Sequence, residues 1–192
     1  IKVYEVLLWG LEVYMFKIDV ENLCWIDGSV DNSDDICLHG ETTVKIGSEI
    51  FKYNATVSAT ALYLLKTLTE NHIMHTSNQM LPCCGSFIIP NEDLTNVDIC
   101  GCNNGIDWSV IHEDDCVKIV TESKNETIVS IHEYIEEVYK FTDKIESFYK
   151  KCTSKRLPYD DFEKNGYIAF WNEWNIRRNR KKELYVYIVL NW

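Results

Sequence analysis

The chain has little proline and little glycine, three and eight in 192 residues, and neither is gathered into a low-complexity stretch. That scarcity excludes collagen-like and linker-like classes, and 46% hydrophobic with 12% aromatic residues points to a packed globular protein. Long apolar runs are also missing. The run at 184–190 is under half of the ~20 residues that a membrane helix needs. The apolar start is interrupted by Glu5 and Glu12, so no secretory signal is read there. Basic residues are in deficit: 19 Lys and Arg against 30 Asp and Glu give a net charge of −11, which opposes a phosphate backbone or an anionic membrane. Nucleic acid and membrane are therefore not expected as partners, whereas a basic protein is. No glycine-rich phosphate loop, nucleophile elbow or His-Glu-x-x-His helix occurs, so no familiar catalytic constellation is present.

Cysteine is what the chain does hold. There are eight, and four of them fall within twenty residues, in Leu81-Pro82-Cys83-Cys84-Gly85 and Ile99-Cys100-Gly101-Cys102-Asn103-Asn104-Gly105. Without an export route these read as reduced thiols in a cytoplasm, and a disulfide scaffold is not expected at this length. A zinc site would draw on Cys83, Cys84, Cys100 and Cys102, with His39 or His112 and Cys37 beside them, because thiolate and imidazole suit that metal. The spacing departs from the usual knuckle of two to four residues between cysteines. In extended strands Cys83 and Cys84 would face opposite sides while Cys100 and Cys102 share one, so at most three of the four converge. A thiol enzyme would pair Cys84 or Cys100 with His39 or His112. Buried structural thiols are the simpler account, and no cofactor is expected.

The fold reads as α+β: one domain over residues 15–183, with an antiparallel sheet of six or seven strands, one inserted helix and two C-terminal helices. Met15 to Val20 alternates as a strand, and residues 36–46 and 49–53 form a hairpin about Gly47-Ser48. Ser58 would cap a helix running to about His72, with Leu62, Leu65 and Leu68 on its buried face. Residues 80–89, 96–102, 107–112 and 116–122 read as a meander of strands, turning at Asn91-Glu92-Asp93, Asn103-Asn104-Gly105 and Glu113-Asp114-Asp115. Thr127 to Cys152 is the clearest helix, with Ile131, Ile135, Val138, Phe141, Ile145 and Phe148 stepping by three or four. A third helix starts near Asp160 or Asp161, weakened by Gly166, and carries Tyr167, Phe170, Trp171 and Trp174 into the basic cluster from Arg177 to Lys182. Those aromatics read as a clamp on the core before a binding surface, and the basic cluster as complementing the helix dipole.

The termini read differently. The chain opens on Ile1 and its first methionine is Met15, ahead of the first strand. Leu11-Glu12-Val13 can be encoded by a purine-rich tract of the kind found in bacterial ribosome-binding sites. Residues 1–14 are thus expected to be translated leader sequence, and residues 184–192 a tail.

Five segments together, Cys37-Leu38-His39-Gly40, Val57 to Leu65, Leu81 to Gly85, Gly101 to Trp108 and Phe170-Trp171-Asn172-Glu173-Trp174, resemble a group of small bacterial proteins found mainly in Gram-positive species. The resemblance covers most of residues 36–176 and implies no activity, catalytic residue or cofactor. In size and acidity the chain is also similar to immunity proteins that neutralise toxins. The expectation is a cytoplasmic, non-enzymatic protein-binding module, with a metal- or thiol-dependent enzyme centred on the cysteine segments as the alternative.

Overall fold

A computed structural model describes residues 16–76, 78–85 and 87–179. The expected leader at 1–14 and tail at 184–192 lie outside them. Among the described residues the chain forms an α+β fold of eight strands and three helices.

Strands β1 (Phe16–Cys24), β2 (His39–Ile46) and β3 (Glu49–Thr56) make an antiparallel sheet in that order. Its register sets Phe16 against Ile46, Ile18 against Val44 and Val20 against Thr42, so one face of alternating apolar residues enters the core. β3 runs straight into α1 (Val57–Lys66), in which every residue except Lys66 is buried. This helix is shorter than its periodicity predicts, and Thr56, not Ser58, stands at its N-cap. The Ser58 hydroxyl instead accepts the Leu38 N–H at 3.2 Å. Beyond Lys66 turn hydrogen bonds continue to Glu70, and the chain then enters extended pairing: the His72 N–H donates to the Val110 carbonyl at 2.9 Å and the His72 carbonyl accepts the Val110 N–H at 2.8 Å.

The expected single sheet divides into three. β4 (Phe87–Pro90) and β5 (Val97–Cys100) form a two-stranded ribbon, while β6 (Trp108–Glu113), β7 (Cys116–Thr121) and β8 (Glu126–Ser130) form a separate three-stranded meander. The meander breaks because the chain before β4 and after β5 leaves strand geometry at the cysteine segments, where only Leu81 and Ile106 pair, as an isolated bridge. β8 corrects the helix expected from Thr127. Thr127-Ile128-Val129 is β-branched throughout, which favours strand, and it pairs with β7 with Thr127 and Val129 inward and Ile128 outward.

Helix α2 (Ile131–Lys151) begins at Ser130, whose hydroxyl accepts the Glu133 N–H at 3.3 Å and donates to the Glu133 carboxylate at 2.7 Å. Of the periodic residues Ile135, Val138, Phe141 and Ile145 are buried, as expected, while Ile131 and Phe148 are partly buried; Tyr134, Tyr139, Glu137 and Thr142 widen the buried face. Helix α3 (Asp161–Asn179) starts where expected, with Asp160 accepting the N–H groups of Phe162 and Glu163 at 2.9 and 3.0 Å. Phe170 and Trp174 are buried, so the aromatic segment does clamp the helix to the core. The first arginines of the basic cluster are committed to ion pairs: Arg177 to Glu173 and Glu70, Arg178 to Asp143 and Glu146. Apolar side chains from all three sheets and all three helices join in one buried cluster.

Candidate functional site

The two cysteine segments are neighbours in space. The Pro82 carbonyl accepts the Thr56 N–H at 2.9 Å, and Leu81 and Ile106 exchange hydrogen bonds at 2.9 and 3.0 Å, which fixes one segment against the other. Gly101 closes the gap: a Cβ there would lie 2.2 Å from the Cys84 carbonyl oxygen, so only glycine allows the approach. Across this corner Cys83 and Cys102 form a disulfide, with Cα atoms 6.7 Å apart and a sequence separation of 19. The Cys84 sulfur sits 3.7 Å from that of Cys83 and accepts the Cys102 N–H at 3.2 Å. All three sulfurs lie within 4.8 Å of one another.

This arrangement corrects the reading of fully reduced thiols, although the remaining six cysteines are free. It also corrects the alternation argument. Cys83 and Cys84 precede β4 and are not in a strand, so adjacency does not send their sulfurs to opposite sides. Cys100 is the last residue of β5 and Cys102 lies past its end, so they do not share a face as a Cys-x-Cys strand pair would. Among the described residues the sulfur group therefore contains neither Cys100 nor a histidine. His39 opens β2 opposite Cys24 and Thr56, where burial lowers its pKa against the opposing pull of Asp35. His112 is held by its ring Nε2 at 2.9 Å from the Thr67 carbonyl. Cys37 donates to the Gly85 carbonyl at 3.4 Å, and burial, with the Asp35 carboxylate adding to it, pushes its thiol up to about 12. It is an inert thiol at neutral pH.

Beside the corner a groove of about 210 Å³ separates the β1–β2 loop from the start of α3. Ile36, Phe87, Pro158 and Phe162 form its apolar lining, and Asp35 and Glu163 its rim. Phe87 is 61% exposed and Phe162 47%, high values for phenylalanine in a folded chain. The β1–β2 loop is held by the connection after α2: Asp31 accepts the N–H and hydroxyl of Thr153, and Asp34 pairs with Arg156. Asp35 accepts the N–H groups of Ile26 and Cys37, at 2.7 and 2.9 Å, which keeps its carboxylate in place. A larger hollow of about 870 Å³ lies between β1 and α2, but lysines and carboxylates alternate along it and pair, Lys144 with Asp19 and Lys140 with Glu137. Its charges largely cancel.

Sequence reasoning did not connect one polar centre, the pair of Asp107 and His72. Asp107 Oδ1 lies 2.8 Å from His72 Nε2 and accepts the N–H groups of Met80 and Trp108, while Oδ2 accepts that of His75. The carboxylate thereby pins the connection from α1 to the cysteine corner. An aspartate after an Asn-Gly turn carried no signal of a histidine 35 residues earlier.

No family model, curated protein or solved structure matches this chain. No helix among the described residues is long and apolar enough to cross a membrane.

Proposed function

We propose that this chain is a non-enzymatic protein-binding module of the bacterial cytoplasm, acting on a basic partner in the manner of an immunity or antitoxin factor. The observation that carries this reading is the groove at the start of α3, where two exposed phenylalanines stand beside carboxylates on a chain of net charge −11. A few residues carry most of the energy of a typical interface, aromatic side chains are enriched at interface cores, and an acidic rim selects and accelerates a cationic partner. Arginine serves both, since its guanidinium stacks on phenylalanine and pairs with a carboxylate. The bacterial source rests on the resemblance of the five sequence segments.

The test is a low-salt binding titration against the product of the adjacent gene, with the intact chain and with Phe162→Ala and Glu163→Lys. Both positions are exposed, so the fold should persist. Loss of an aromatic anchor should weaken binding by about thirtyfold, equivalent to about 2 kcal/mol. Charge reversal should slow association and flatten the salt dependence. Absence of binding at low salt, or binding indifferent to both substitutions, overturns the proposal.

A second reading, an enzyme dependent on a metal or thiol at the cysteine segments, is favoured by the convergence of three sulfurs. It requires turnover that Cys84→Ser abolishes.

A further inference from the structure

We infer that Cys83, Cys84 and Cys102 form a redox-gated site for one soft divalent cation, closed as the Cys83–Cys102 disulfide and opened by reduction. The inference is independent of the docking groove and requires no catalysis.

Three features support it. The first is spacing. Zinc–sulfur bonds of about 2.3 Å in tetrahedral geometry place neighbouring sulfurs about 3.8 Å apart. Cys83 and Cys84 already stand at 3.7 Å, and all three sulfurs fall within 4.8 Å, so opening the disulfide requires only a small separation of Cys83 from Cys102. The second is rigidity. The Leu81–Ile106 bridge, the Thr56 hydrogen bond to Pro82 and the contact of Gly101 with the Cys84 carbonyl do not depend on the disulfide. They hold the two loops together when it opens. The third is access. Cys102 is exposed and the other two are half-buried, so a reductant and an ion can reach the group, and a fourth coordination position is left to water.

Cys84 is what distinguishes this corner from a plain disulfide. It takes no part in the covalent link, yet its sulfur is directed at the pair by the Cys102 N–H at 3.2 Å. Opening needs two electrons and two protons from a dithiol reductant, which becomes a cyclic disulfide as Cys83 and Cys102 become thiols. The cation then displaces up to three thiol protons and binds three thiolates, the softest donors proteins offer. Oxidation by a low-molecular-weight disulfide runs the exchange backwards: it removes two sulfurs from the ion, re-forms the Cys83–Cys102 bond and reduces the oxidant to two thiols.

The test uses the full chain, reduced with a phosphine or oxidised with glutathione disulfide, and titrated with Zn²⁺ and with Cd²⁺. Stoichiometry is read by native mass spectrometry and affinity by competition with a chromophoric chelator. The reduced chain should retain one ion and, with Cd²⁺, show a thiolate charge-transfer band; the oxidised chain should bind at least a hundredfold more weakly. Cys84→Ser is the deciding variant, because it leaves the disulfide intact and so separates ligation from folding. It should weaken binding by the reduced chain at least tenfold, while Cys100→Ser leaves it unchanged. Equal binding in the two redox states, no ion retained by the folded reduced chain, or an unaffected Cys84→Ser variant overturns the inference.

Discussion

Gly166 lies inside α3, where glycine is a poor helix former, and Gly166→Ala should gain about 1 kcal/mol from propensity alone. The tertiary structure reverses that expectation. A Cβ at 166 would stand 2.2 Å from the Ile88 carbonyl oxygen and 3.1 Å from the Ile88 carbonyl carbon, both of them backbone atoms of β4. Ordinary carbon–oxygen contact is about 3.4 Å, so helix and strand must part by roughly 1 Å, and a gap of that size forfeits a quarter to a half of each dispersion contact along the seam. Overpacking of this kind costs about 1–3 kcal/mol, and more where the obstacle is backbone that cannot rotate aside. With the loss placed at about 3 kcal/mol and the propensity gain subtracted, the net destabilisation is about 2 kcal/mol, a fall of roughly 4–8 °C in Tm at this chain length. Urea titration and thermal melting by circular dichroism measure it, with Asn175→Ala as the control. Asn175 is exposed on the same helix, and its substitution should stabilise by about 0.5 kcal/mol. If Gly166→Ala matches or exceeds the wild type in stability, the close packing of α3 on β4 is wrong, and with it the seat of Phe87 beside Phe162.

Two further outcomes follow from polar contacts. Glu173 is buried and accepts from Asn96 Nδ2, the Val97 N–H and Arg177 Nε at 2.7–2.9 Å, with Lys66 at 3.3 Å, so it joins α3, β5 and α1. Glu173→Ala leaves buried Arg177 with only its Glu70 contact and should cost about 3–5 kcal/mol by urea unfolding, with Glu173→Gln costing less; a loss below about 1 kcal/mol would contradict the role. Glu49 accepts the hydroxyls of Thr121 and Ser123, tying β3 to the end of β7, and these bonds hold its carboxyl below the usual range. Its contribution is complete above the unfolded carboxyl pKa and is lost as pH falls through the lowered folded value. Glu49→Gln should therefore flatten the acid limb of the urea midpoint against pH, and parallel curves for the two proteins would show that the link does not matter.

The helices were legible because their signals are local. The break at Pro158 and Asp160 marked the start of α3 within a few residues, and the apolar steps of α2 run through five turns. The start of α2 was misread because Thr127-Ile128-Val129 fits both a helical and a strand period, and only the pairing with β7 decides between them. The end of α1 was misread for a related reason, since His72 is claimed by Val110. For the candidate site, the sequence marked Cys83, Cys84 and Cys102 by residue type but by the same token also proposed Cys100, His39 and His112, because donor chemistry does not say which side chains meet, and strand alternation does not hold for Cys83, Cys84 and Cys102, which lie outside strands. The groove carried no sequence signal, for Phe87 and Phe162 approach only when α3 crosses β4.

By itself, then, the sequence determined the α+β class, the periodic faces of the first sheet and α2, the acidic charge and the two cysteine segments as places of interest. These follow from local geometry and composition, which a chain carries whatever its neighbours do. Tertiary structure alone decided that the strands divide among three sheets, that Gly166 is a contact and not a weakness, and which three sulfurs meet. Those outcomes depend on backbone atoms from distant segments coming within a few ångströms, and no periodicity along the chain encodes that distance.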